Sequence, residues 1–216
     1  SQVFRRNRWV LLPVHTVQNQ FTIPMKSIYV TSFVILSVLL FMVSPIYGQQ
    51  SYKLFGTQKL TVSGTSTIHD WQMVARDNSN GTAELTIENG KLVSIQSMTI
   101  EMPVKSLKSG KGGMDNNAYE ALKEKKYPSV KFVMSEFISV TGNSVKVKGK
   151  LIIAGTEKSI LLEATYAVNG GSIRFKGVHD IAFTDFKIDP PTAVFGTIKT
   201  GDKLTLGFET SLSPIN

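Results

Sequence analysis

Alternation of apolar and polar residues with a period of two most restricts what this chain can become. Successive strand side chains point to opposite faces, and a helix cannot use that pattern. Ala83, Leu85 and Ile87 alternate with Thr82, Glu84, Thr86 and Glu88, and Asn89-Gly90 then supplies a hairpin turn signal. The next run, Leu92 to Met102, alternates through Val93 and Ile95, then changes phase to Met98, Ile100 and Met102. A phase change inside one run predicts a bulge near Gln96-Ser97. After Gly142-Asn143 come Val145, Val147, Leu151 and Ile153, and then Ile160, Leu162, Ala164, Tyr166 and Val168, closed by Asn169-Gly170-Gly171. Ile173 and Phe175 face away from Arg174 and Lys176, and Leu204, Leu206, Phe208, Thr210 and Leu212 form the last run. With Lys59–Gly64 and Val130–Met134 this makes about eight strands separated by hairpin-length turns. No strand–helix–strand alternation is present, which argues against a parallel nucleotide-binding sheet.

The pattern predicts an all-β domain, an eight-stranded antiparallel barrel with a short helix on an inter-strand loop. The helix is expected over Asn116–Lys126, with Ala118, Tyr119, Ala121 and Leu122 on one face and Pro128 blocking its continuation. An eight-stranded barrel can fill its interior with side chains or hold one small ligand. The predicted wall is Ile87, Ile95, Phe132, Leu151, Ile153, Leu162, Phe175 and Phe208. A packed core and a lined lipid pocket share this periodicity; the pattern alone favours the packed core.

Ahead of the strands lies an export pattern. Met25-Lys26 opens a basic start, Ile28–Val43 is uncharged and predominantly apolar, and Pro45 breaks it before Gly48. A helix of 16 residues (28 to 43) reaches about 24 Å, short of a bilayer core of about 30 Å. Residues 25–48 are therefore read as a secretory signal cleaved after Gly48, although Ile46 is bulky for that site; an uncleaved anchor is the alternative. Residues 1–24 carry Arg5, Arg6 and Arg8 with no acid and no pattern, and are read as lying upstream of a true start at Met25. The mature chain is then 49–216, exported to a periplasmic or secreted location, with no stable membrane span after signal removal.

Composition narrows the chemistry. The chain has no cysteine, which removes disulfide scaffolds, thiolate zinc, iron–sulfur clusters, thiol catalysis and lipoprotein anchoring. The formal charge is +8, but from residue 49 onward 20 Lys and Arg face 16 Asp and Glu, interspersed except at Lys123-Glu124-Lys125-Lys126. A mixed solvated surface follows, and no nucleic-acid partner is expected. His69-Asp70 and His179-Asp180 resemble acid–base pairs, yet adjacent strand residues point apart. Only convergence of both histidines with Asp185 would give a metal or acid–base site. The plainer reading puts His69 and Trp71 together at the barrel mouth, beside a ligand head group, with the Trp N–H needing a partner. Ser63, Thr65 and Ser66 lack a base and an oxyanion context. Met98, Met102, Met114 and Met134 read as gap-fillers that also suit a tolerant lipid wall. Neither enzymatic activity, nor a cofactor, nor a metal is expected.

Five segments, in order, resemble the YceI-like family of exported lipid- and polyisoprenoid-binding proteins. They are Ser63-Gly64-Thr65-Ser66-Thr67-Ile68-His69-Asp70-Trp71; Met114-Asp115-Asn116-Asn117 leading to Tyr119-Glu120-Ala121-Leu122; Tyr127-Pro128-Ser129-Val130-Lys131-Phe132; Gly149-Lys150-Leu151-Ile152-Ile153-Ala154-Gly155-Thr156-Glu157-Lys158, with Ile152 where Thr is usual; and Thr184-Asp185-Phe186 with Pro190-Pro191-Thr192-Ala193. The resemblance spans roughly residues 55 to 213. It implies a lipocalin-like barrel around a long apolar tunnel, and an isoprenoid or other long-chain amphiphile as ligand. The contrasting expectation is a filled barrel acting through its exposed strands or loops. A homodimer through exposed faces is compatible with the pattern, though nothing in it specifies one.

Overall fold

A computed structural model describes residues 48–215 apart from Thr57, Asp77 and Asn78. The upstream segment 1–24 and the expected signal, except for Gly48, lie outside the described residues. The strands are β1 (Gln50–Leu54), β2 (Lys59–Ser66), β3 (Trp71–Arg76), β4 (Asn80–Glu88), β5 (Lys91–Pro103), β6 (Leu107–Lys108), β7 (Ser129–Thr141), β8 (Ser144–Ile153), β9 (Thr156–Asn169), β10 (Ser172–Ala182), β11 (Thr192–Ala193) and β12 (Ile198–Pro214). One α-helix, α1 (Gly112–Ala121), lies between β6 and β7.

All pairings are antiparallel, in the order β1-β4-β5-β7-β8-β9-β10-β12-β2-β3-β6. The sheet closes because β12 also pairs with β1: Tyr52 opposes Pro214 and Leu54 opposes Leu212, while Leu60 of β2 opposes Phe208 farther along the same strand. β1 and β2 are in effect one strand, and β3 and β4 another. Gln50 opposes Leu85 and Gly64 opposes Trp71, so fourteen steps forward (50 to 64) match fourteen steps back (85 to 71). β5 and β6 continue this with a one-residue slip at the 3₁₀ turn Val104–Ser106. The result is an eight-strand up-and-down ring with a short helix on a loop, as the alternation predicts. Tight turns at Asn89-Gly90, Gly142-Asn143 and Gly170-Gly171 share one end with Gln50 and Pro214; the 67–70 turn, α1 and residues 183–197 crowd the other.

Local chemistry explains the departures from the sequence reading. The bulge arrives where the phase change places it: Glu84 opposes Ser97 and Leu85 opposes Ile95, leaving Gln96 over. A second bulge leaves Val93 over between Ser94 and Leu92. The helix begins at Gly112 and ends at Ala121, not at Lys126. Its stop is not Pro128 but a C-terminal turn in which Lys123 takes φ +53, Lys123 N–H donates to Glu120 O, and Glu124 N–H donates to Tyr119 O. That is the paired bonding of a Schellman cap, carried by a lysine where glycine is usual. β1, β3, β6 and β11 are absent from the sequence reading. β1 buries only Tyr52, and in β3 the apolar outward Val74 blurs an otherwise regular Trp71, Met73, Ala75 face.

The ladder between β9 and β10 ends at Gly177 opposite Ala164. Beyond it the segment 183–188 turns inward, burying Phe183, Phe186 and Ile188 with Ile153 and Ile160. Asp185 fixes this turn by pairing with the Lys158 ammonium and accepting from Ala182 N–H at 2.9 Å, which together hold its carboxyl below the usual carboxylate range. The Thr184-Asp185-Phe186 motif is thus a seal between two splayed strands. The Tyr127-Pro128 and Gly155 motifs also meet, the Tyr127 ring lying where a side chain on Gly155 would stand.

Two changes in stability follow. Leu212 is fully buried where β12 meets both β1 and β10, so Leu212→Ala should lower unfolding free energy by about 2–5 kcal/mol. Lys123→Gly should raise it by about 1 kcal/mol by relieving the left-handed cap residue. Urea midpoints at constant m-value check both.

Candidate functional site: an apolar lumen

The ring is not filled by its own side chains. A cavity of about 580 Å³ runs inside it, within the range of small-molecule sites. β12 lines it from Ile198 to Thr210, most of the length of the strand, through an irregularity between Thr200 and Leu204. Its inner end is closed by buried Tyr52, Leu85, Leu92, Ile173 and Leu212. The other end opens between the Ser66–His69 turn, the start of α1 at Lys111–Met114, and Pro191–Ala193.

Glycines create the room. Gly64, Gly149 and Gly177 occupy inward positions in otherwise regular alternations, and each carries an aromatic ring flat against the wall: Trp71 on Gly64, Phe132 on Gly149, Phe208 on Gly177. A Cβ at any of the three would collide with that ring. Glycine within a strand marks such close approach, and the signal is present in Val145-Lys-Val-Lys-Gly149 and Ile173-Arg-Phe-Lys-Gly177.

Of the eight predicted wall residues, Ile95, Phe132, Leu151, Ile153, Leu162, Phe175 and Phe208 face the lumen. Ile87 does not. It lies beside the Asn89-Gly90 turn, half-buried against the cluster that closes the inner end. Period two fixes the face of a residue and is silent about its height in the barrel. Met98, Met102 and Met114 line the lumen with Met73, whereas Met134 packs against the inner-end cluster.

His69 and Trp71 both border the cavity, near its mouth. The Trp71 indole N–H donates to Thr65 O at 2.9 Å, the partner its burial requires. The His69 ring nitrogen lies 2.8 Å from Asp70 O. His179 was not among the predicted wall residues, yet alternation from Ile173 through Phe175 and Gly177 turns it inward. Its neighbour Asp180 faces outward and accepts from the Thr205 hydroxyl at 2.7 Å, while Asp185 is engaged by Lys158 and Ala182. Among the described residues, no group of three His, Asp or Glu is placed to hold a metal ion. Withdrawal from water pushes the His179 imidazole below its ordinary value; Asp180 opposes this shift and Lys158 reinforces it.

Two outcomes follow. Gly149→Val should cost about 1–3 kcal/mol by overpacking and shrink the lumen, and Phe132→Leu in the same chain should recover part of the loss, the contact with Val133 O remaining; a double-mutant cycle in urea measures the coupling. The His179 contribution is undiminished above about pH 6.5, where folded and unfolded imidazoles are both neutral, and is lost as pH falls from there through the lowered folded value. Wild type should therefore lose more stability than His179→Met between pH 7.5 and 5, measured by urea midpoints.

Comparisons with known proteins bear on this architecture. A family model described as a YceI-like domain matches residues 46–212. The crystal structure of BcnA from Burkholderia cenocepacia superposes with a TM-score of 0.59 at 19% identity, covering 71% of this chain and 95% of that one. A polyisoprenoid binding domain from Saccharophagus degradans, implicated in plant cell wall breakdown, gives 0.55 at 10% identity, covering 77% and 100%. The Campylobacter jejuni YCEI protein gives 0.50 at 21% identity, covering 63% and 81%. A comparison with curated proteins finds no match. At these identities the solved structures speak to the fold: mostly antiparallel, ring-closed and lipocalin-like.

Proposed function

We propose that this chain, which belongs to the YceI-like domain family, holds the apolar chain of a polyisoprenoid or fatty amphiphile in its lumen, and that it does so by binding without chemistry. One observation carries the reading: a cavity of about 580 Å³, walled mainly by Leu, Ile, Val, Met and Phe, with its few polar side chains, such as Ser66, His69, Lys111 and Asn117, gathered largely toward the open end. Each methylene moved from water into such a wall contributes on the order of 0.8 kcal/mol. A ten-carbon chain gains about 8 kcal/mol, comparable to the lower range of association costs, and longer chains gain a surplus. The polar end of the ligand then lies toward the mouth beside His69 and Trp71. A polyisoprenoid binding domain among the structural neighbours supports the ligand class. Ile95, Phe132, Leu151, Ile153, Leu162, Phe175 and Phe208 are the contacts, and Ile87 supports the closed end.

Export to the periplasm or the exterior belongs to the same proposal. Its support is the signal pattern at 25–48. No helix among the described residues is long and apolar enough to cross a membrane. Transport, storage and stress protection all draw on one property, reversible sequestration of an apolar chain from water.

The test is organic extraction and mass spectrometry of protein recovered from its native compartment. A stoichiometric isoprenoid or fatty amphiphile is expected. Protein that is empty and also refuses labelled lipids would overturn the proposal. Phe132→Asp and Leu151→Asp should each lower lipid occupancy by about tenfold or more, because they bury a carboxylate in the wall, with circular dichroism confirming the fold.

A further inference from the structure

Large apolar side chains stand in water around the lumen mouth. Phe195 is fully exposed (109%), and Val194 and Ile68 are each 62% exposed. Ile68 borders the opening directly, and Val194-Phe195 follow Ala193, which borders it too. The two rim segments are joined: Thr67 N–H donates to Lys199 O at 3.0 Å, and Lys199 N–H to the Thr67 hydroxyl at 3.2 Å. An apolar group of this kind, continuous with an apolar tunnel, marks an interaction surface.

Backbone geometry at the tip adds an independent observation. Val194, Phe195 and Gly196 take φ values of +51, +55 and +85. Gly196 N–H donates to Ala193 O at 3.2 Å and Thr197 N–H to Val194 O at 3.1 Å, so this is a left-handed turn carrying two bulky residues. A β-branched residue at positive φ is a true outlier, and asparagine or glycine would relax it. Strain that lifts Phe195 clear of every buried cluster has no return within the fold. Lys111, Lys187 and Lys199 are exposed at the same end of the ring, with Asp70 and Asp189.

We propose that this rim docks on the surface of an anionic lipid bilayer, with Phe195 and Val194 entering the headgroup boundary and the lysines meeting lipid phosphates. The inference rests on the lumen reading above and extends it: a docked mouth lets an apolar chain pass between bilayer and tunnel without crossing water. Aromatic and aliphatic tips flanked by cations suit that boundary.

The absence of cysteine makes the test direct, since Phe195→Cys carries a single environment-sensitive label. Residues 49–216 are used, because every strand of the ring, from Gln50 to Pro214, and its core lie within them. With phosphatidylcholine vesicles containing phosphatidylglycerol, a blue shift is expected at residue 195 and none at Asn143→Cys, at the opposite end. Val194→Asp with Phe195→Asp should weaken vesicle sedimentation, and slow uptake of a fluorescent prenyl lipid from vesicles, by about tenfold or more. Uptake of that lipid from cyclodextrin should stay unchanged. No shift at 195, equal shifts at both ends, or unchanged sedimentation of the double variant overturns the proposal. A shift that needs no vesicles and tracks a dimer on gel filtration also overturns it, and assigns the rim to a second copy. Wild type that docks yet takes up no lipid from cyclodextrin overturns the lumen reading and leaves the docking intact.

Discussion

Everything in this domain depends on β12 pairing along both of its edges. A strand bonded to β10 on one side, and to β1 and β2 on the other, turns an open sheet into a ring. Closure gives every strand of the ring a partner on each side, with unpaired stretches where β9 and β10 part beyond Gly177 and where β5 and β7 part beyond Thr99 and Val133. It also fixes the strand number, and with it the width of the interior, before a single core side chain is chosen. What remains free is how much of that width the inward residues occupy. Dry apolar space of about 580 Å³ would be worth on the order of 14 kcal/mol at the measured penalty per unit cavity volume, a ceiling that water entering the mouth lowers. That ceiling is as large as the whole stability of an ordinary domain. Occupancy of the lumen and stability of the ring are therefore linked quantities.

Much of this was legible in the residues. Period-two alternation gave the face of nearly every strand residue, the eight strands of the ring, and the bulge at Gln96. Seven of the eight wall residues do line the cavity, since face is what alternation encodes. Height is a different coordinate, and Ile87 shows the difference: right face, wrong level. Whether the interior is packed or hollow depends on summed volumes across strands far apart in sequence, which no local pattern reports. Glycines at inward positions were the available clue. The helix boundary failed for another reason, because a Schellman turn on Lys123 uses none of the residues that normally announce it.

The polar residues divide by the same geometry. Pleating separates each His-Asp dipeptide, so that His179 turns to the lumen while Asp180 bonds Thr205 on the outer surface. Asp185, the third member of the imagined cluster, is spent on closing the seam where β9 and β10 part. Trp71 satisfies its N–H on Thr65 and keeps its ring for the wall. Residues that look like chemistry in one dimension become fasteners and lining in three.

The three inward glycines give the tunnel a property that a uniformly walled barrel lacks. Gly64, Gly149 and Gly177 lie on separate strands, each paired with its own ring. The bore is thus set by three independent adjustments, each a matter of one missing methyl group. A side chain at Gly64 would press on the Trp71 and Leu204 side chains, whereas one at Gly149 or Gly177 would press on its ring and also on a backbone oxygen of the neighbouring strand, Val133 O or Glu163 O. The calibre of such a bore is set position by position along its length, at sites where one atom decides how close a ring can lie to the wall.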